Sequence, residues 1–198
     1  MPAPAPTPIQ PRSGLASGRL IRARCRLAAR QVTGRSVLDG GCNVADLADS
    51  IPANVDYVGM ERDERIAAIA RRLHPERQIE CVDLEAPWPA AVTERRFDHV
   101  VLMAVLEHLK DPAAVLAQAR GVLAPGGTVI ASTPHPRARA IHRLGARWGL
   151  FSRDADEEHE VFWSRAQLDA LGRAAGLRPL RYRRFQLGLN QLMVWTAA

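Results

Sequence analysis

Asp39, Glu61 and Asp83 stand 22 residues apart, and each directly closes a short apolar run: SVL, YVGM and IECV. Runs of this length bounded by turn residues read as strands buried on both faces. Their spacing leaves room for a crossover between each pair, the pattern of a parallel sheet built from βαβ units. Crossovers in such sheets are right-handed, so the strand ends gather on one rim. The three acids therefore form one polar edge, on the rim where open α/β sheets bind ligands.

The alternation runs through most of the chain. SVLD (36–39) and DYVGM (56–60) read as strands, followed by an amphipathic helix, IAAIARRL (66–73). QIECV (78–82), HVVLM (99–103) and GTVIAST (127–133) supply three more strands, with a helix over 112–123. Residues 164–176 read as a helix with Ser164 as N-cap and Gly176 as its stop. PLRYRRFQLG and NQLMVWTA read as an antiparallel hairpin at a sheet edge, joined around Gly188–Asn190.

Charge divides the chain. Residues 1–35 carry seven arginines and no acid, whereas residues 36–198 carry 20 basic and 21 acidic groups. The net charge of +6 is thus a property of an N-terminal arm. A neutral body argues against nucleic acid as a partner. Residues 1–13 hold five prolines and are expected to be a disordered tail. Residues 14–35 form a basic leader helix, with Leu15, Ile21, Leu27, Ala28 and Val32 on one face. That helix either packs on the domain of residues 36–198 or meets a membrane surface or an acidic partner. No stretch approaches the roughly 20 apolar residues of a membrane span. Cys25, Cys42 and Cys81 are odd in number and form no C-x-x-C pair, so neither a disulfide framework nor a zinc site is expected. Reduced thiols fit a cytoplasmic location.

The run VLDGGCNVADL (37–47) gives strand, acid, glycines and a helix start. It resembles the first motif of class I S-adenosylmethionine-dependent methyltransferases. Asp39 and Gly41 match the pattern, and Asn43 and Ala45 replace its second and third glycines. YVGMERD (57–63), IECVDLEAPWP (79–89), FDHVVLMAVLEHLKDP (97–112) and VLAPGGTVIASTP (122–134) resemble the family's next blocks in order, the fourth close to the ubiquinone-type O-methyltransferases. The resemblance implies a three-layer α/β sandwich around a seven-stranded, mostly parallel, Rossmann-like sheet with its last strand reversed. It implies S-adenosyl-L-methionine as cofactor and a small-molecule acceptor. Glu61 would hold both ribose hydroxyls, and Asp83 with the Leu84 backbone would hold the adenine. Asp39, Gly41 and Asn43 would line the methionine end, with Met103 beside adenine or sulfonium. Asn tolerates the left-handed backbone that the missing glycine would supply. A dinucleotide fingerprint, by contrast, fails at two of its glycines.

If the acceptor is a hydroxyl, a base is needed, and His108, His135 and His159 are the candidates. Ala104 stands where the ubiquinone-type enzymes carry an extra acid, so no metal site is expected around Glu107 and His108. Residues 136–163, rich in arginine and aromatics, would cap the substrate side. Two other readings stay open: a binding or regulatory protein that keeps the fold without transfer, and a macromolecule methyltransferase recruited by the basic arm. The oligomeric state is not legible.

Overall fold

The computed structural model describes residues 15–138 and 161–198. Among these residues the elements are, in chain order, α1 (Leu15–Ala29), β1 (Ser36–Gly40), β2 (Asp56–Glu61), α2 (Glu64–Leu73), β3 (Gln78–Cys81), α3 (Ala90–Thr93), β4 (Phe97–Met103), α4 (Pro112–Gly121), β5 (Leu123–Pro134), α5 (Arg165–Ala174), β6 (Leu177–Phe185) and β7 (Asn190–Ala197). The strands form one seven-stranded sheet in the order β3-β2-β1-β4-β5-β7-β6. β1 to β5 pair in parallel, and β7 runs antiparallel to both β5 and β6. The reversed last strand and the terminal hairpin are as expected.

Helices cover both faces. On one, α1 and α2 bury Leu27, Ala28, Ala67 and Ala70 against Val37, Tyr57, Val101, Ile130 and Val194. On the other, α3, α4 and α5 bury Val92, Leu116 and Leu168 against Leu38, Met60, Leu102, Met193 and Trp195. Residues alternating along each strand feed opposite layers, as the pleat requires. Among the described residues, no helix is long and apolar enough to cross a membrane.

Local chemistry sets the ends of the elements. The Asp63 carboxylate accepts from Arg65 N and caps α2. Asp111 caps α4 from Ala114 N, ahead of a proline in its first turn. Ser164 and Gln167 form a reciprocal capping box on α5, and Gly176, at φ +73°, follows that helix. Asp98 and His99 fasten the α1–β1 link to β4. Asp98 Oδ2 accepts from Arg35 N and Ser36 N, and His99 Nε2 accepts from Thr33 N and Gly34 N.

Two expectations need correction. The run after β1 does not start an α-helix; residues 41–47 are turns, followed by a 3-10 turn at Ala48–Ser50. Left-handed backbone at Asn43 (φ +53°) and Ala45 (φ +63°) breaks the helical path, and Pro52 lacks an amide donor for a later turn. β5 begins at Leu123 rather than Gly127, with a register shift opposite Phe97–His99, and α4 correspondingly ends at Gly121.

Candidate cofactor and acceptor site

Asp39 is the penultimate residue of β1, Glu61 ends β2 and Asp83 follows β3 by two residues, so the three spaced acids fall along the same end of the parallel strands. Glu61, the last residue of β2, is partly buried and joins two backbone segments. Its Oε2 accepts from Asn43 N at 3.0 Å, and its Oε1 accepts from Asp63 N at 3.0 Å. A carboxylate offers about four acceptor sites, so both oxygens keep capacity for a pair of hydroxyls.

The loop beneath Glu61 is tightly determined. Gly41 N and Cys42 N both donate to Met60 O, at 2.8 and 2.9 Å. Gly41 has φ +70°, and a Cβ there would come within 2.7 Å of Val105 Cγ2, so only glycine fits. Asn43 is exposed, and its Oδ1 accepts from Val44 N at 2.8 Å, an arrangement that favours asparagine in the left-handed region.

Asp39 differs from the other two acids. It is only 3% exposed, and its Oδ2 accepts a 2.7 Å hydrogen bond from the Tyr57 hydroxyl. Burial is the main cause pushing its carboxyl up to about 7; the Tyr57 bond opposes that rise, and the charges of Asp46 and Glu61 add to it. Cys25 and Cys42 lie buried on the same face, and burial raises both thiols, Cys25 to about 12. Asp83 is exposed and accepts from Glu85 N at 3.0 Å. Leu84 is buried, and its carbonyl accepts from Trp88 Nε1 and Gln118 Nε2. Met103 ends β4, half-buried against the α1 layer.

The candidate bases separate. His108 sits exposed in the 3-10 turn Leu106–His108 beyond β4. His135 follows β5, and its backbone amide donates to Leu189 O at 2.8 Å. Its Nδ1 accepts from Arg137 N at 3.2 Å, and burial, followed by Arg184 and Arg137, lowers its pKa. His159 lies outside the described residues. So does most of the expected cap over 136–163, apart from its two ends.

Two residues at the site escaped sequence reasoning. Tyr57 reads only as a strand aromatic. Gln191 reads as an ordinary β7 position, yet it is fully buried, donates to both Pro134 O and Trp163 O, and accepts from the Tyr182 hydroxyl. It ties Pro134, at the end of β5, to Trp163, just before α5. No alternation or motif marks such a residue; only the fold brings its partners to it. A cavity of about 280 Å³ opens elsewhere, between Ala23, Arg26 and Leu27 of α1, Arg30 just after it, and Phe185–Gln186, and holds none of the predicted site residues.

The sequence profile of a methyltransferase domain matches residues 14–182. The chain belongs to the class I S-adenosylmethionine-dependent methyltransferase family. It is 30% identical over 150 residues to a ubiquinone biosynthesis O-methyltransferase of Aeromonas salmonicida, covering 73% of this chain and 63% of that protein. A protein of the same name from Bordetella bronchiseptica is 32% identical over 158 residues, covering 76% of this chain and 65% of that one. The chain thus spans a little under two thirds of these relatives' length. Among solved structures, the fold matches the magnesium protoporphyrin IX methyltransferase of Synechocystis, crystallised with bound SAH. The TM-score is 0.68 at 16% identity, covering 93% of this chain and 88% of that one. DesVI of Streptomyces venezuelae gives a TM-score of 0.69 at 19% identity, with 91% and 93% covered.

The donor set suits the family's cofactor. It offers an acid in β1 beside a left-handed loop, a carboxylate with two oxygens at the end of β2, and polar backbone around Leu84 beyond β3, all toward one rim of the sheet.

Proposed function

We propose that this chain transfers the methyl group of S-adenosyl-L-methionine to a hydroxyl of a small-molecule acceptor. The observation that carries the reading is Glu61, fixed between Asn43 N and Asp63 N with both oxygens turned to task. The named activity of the curated relatives supports oxygen as the acceptor atom.

The bound cofactor supplies an already activated methyl, so the protein's part is mainly to hold the nucleophile in line with it. Glu61 orients the ribose, Asp39 and the Gly41–Asn43 turn receive the cationic end, and Asp83 with the Leu84 amide sets the adenine. Met103 supplies apolar contact at the end of β4. A hydroxyl must also lose its proton. The Nδ1 lone pair of His135 is engaged by Arg137 N, so His135 serves as a donor through Nε2 and orients the acceptor. His108, exposed beyond β4, takes the proton. His159 keeps its place as a candidate by sequence alone. The test is turnover of labelled cofactor against a panel of phenolic acceptors. His108→Gln should lower kcat with S-adenosylhomocysteine affinity intact; loss of neither would remove it from the chemistry.

A second reading keeps cofactor binding without transfer. The left-handed Ala45 and the missing helix after β1 favour it. Under it, S-adenosylhomocysteine binds and no acceptor turns over.

A further inference from the structure

We propose that Tyr57 is a positioning residue of the cofactor site: its hydroxyl holds the Asp39 carboxylate in its ionised form and so sets the acid limit of cofactor binding. The inference rests on the methyltransferase reading, because it needs a cationic ligand on the β1 side of the rim.

The geometry comes from strand register. β1 and β2 pair with Val37 opposite Tyr57 and Asp39 opposite Gly59. Tyr57 and Asp39 thus stand diagonally across adjacent strands, on the face covered by α1. Glycine at 59 leaves no side chain between them; a Cβ there would come within 2.8 Å of Cys42 Sγ and Ile79 Cδ1. The phenol spans the gap and meets Oδ2 at 2.7 Å. The other carboxylate oxygen meets no donor among the described residues.

Burial first, then Asp46 of the loop and Glu61 at the end of β2, oppose the charge of Asp39. From α1 come the Cys25 thiol, which burial keeps neutral, and the cation Arg24 beside it; the loop adds the equally neutral Cys42 thiol, and the 3-10 turn adds Asp49 near Cys25. Val101 of β4 sits at the matching register and is apolar and fully buried. Burial without a donor would keep the carboxyl neutral. The Tyr57 hydroxyl is the one side-chain donor on this carboxylate among the described residues. Burial and the neighbouring Asp39 raise its own pKa well above 10, so it remains a donor throughout the usable range. A charge this deeply buried acts on a nearby cation with little screening, whether or not the two touch.

The experiment measures S-adenosylhomocysteine affinity from pH 5.5 to 9 by calorimetry, on wild type, Tyr57→Phe and Asp39→Asn, each checked for folding by circular dichroism. Wild-type affinity should fall as pH drops. In Tyr57→Phe the fall should move up by about one pH unit, costing about five-fold at pH 7 and approaching ten-fold at pH 5.5, because a hydrogen bond to a charged group is lost. Affinity should return to the wild-type value at the alkaline end, which a merely structural defect would not allow. Asp39→Asn should bind weakly with a flattened profile. If Tyr57→Phe does not fold, fluorotyrosine can replace both tyrosines of the chain. A more acidic phenol donates more strongly, so the fall should move to lower pH. Superimposable profiles, or a loss uniform across pH, would overturn the role of Tyr57. A folded wild type that binds at no pH would overturn the methyltransferase reading itself.

Discussion

Asn43 donates its backbone amide to Glu61 Oε2 at 3.0 Å, so the loop after β1 and the end of β2 are locked to each other. The carboxylate is held before any ligand arrives, which spares the rotamer entropy of ordering it on binding. On the proposed function, Glu61→Ala removes the ribose acceptor and loosens the loop together. Affinity for S-adenosylhomocysteine should fall at least about ten-fold, the equivalent of a single charge-assisted hydrogen bond. Glu61→Gln should fall between wild type and alanine, since its amide nitrogen faces one of the two backbone donors. Titration calorimetry decides it, and wild-type affinity in the alanine variant would displace the site.

Asn43→Gly tests whether the asparagine is more than a backbone solution. Glycine takes φ +53° without strain, and the variant loses only the bond from Val44 N to Oδ1. Cofactor affinity should be equal or slightly tighter. A loss of several-fold, again by calorimetry, would mean that the asparagine side chain touches the ligand.

His99 makes the fold sensitive to acid. Its Nε2 accepts from Thr33 N and Gly34 N, and its Nδ1 lies 2.8 Å from Thr128 Oγ1, so the neutral imidazole is the form that fits. Burial lowers its pKa from the ordinary 6.5, against the opposing charge of Asp98. Between the folded and unfolded values the unfolded chain binds more protons, so stability rises with pH there. The contribution is complete above 6.5 and is lost as pH falls through the lowered folded value. Urea midpoints measured from pH 7.5 down to 5 should decline, and less steeply in His99→Gln.

Gly172 of α5 is a packing glycine. A Cβ there would lie 2.3 Å from Trp195 Nε1, and Trp195 is fully buried. Gly172→Ala should destabilise by about 1–3 kcal/mol, the usual cost of overpacking. That outweighs the helix preference for alanine, worth about 1 kcal/mol. Urea denaturation reads the difference, and a stabilised variant would contradict the packing described.

The parts of this molecule that follow a local rule were legible in its sequence. Buried strands announce themselves as apolar runs, and acids closing those runs at a fixed interval gave the rim. Ser164 as N-cap marked the start of α5. What was not legible depends on partners distant in sequence. Tyr57 looks like any strand aromatic until register sets it beside Asp39, and Gln191 like any edge residue until Pro134, Trp163 and Tyr182 converge on it. The helix expected after Gly41 failed because two left-handed residues and Pro52 outweighed a sequence otherwise rich in helix formers.

The central claim is that the rim formed by Asp39, Glu61 and Asp83 binds S-adenosylmethionine. Calorimetric titration of the folded protein with S-adenosylhomocysteine at pH 8, with NADH as the control ligand, tests it most directly. The account predicts saturable binding of the first with one site per chain and none of the second. Binding of NADH, or of neither ligand, would contradict it.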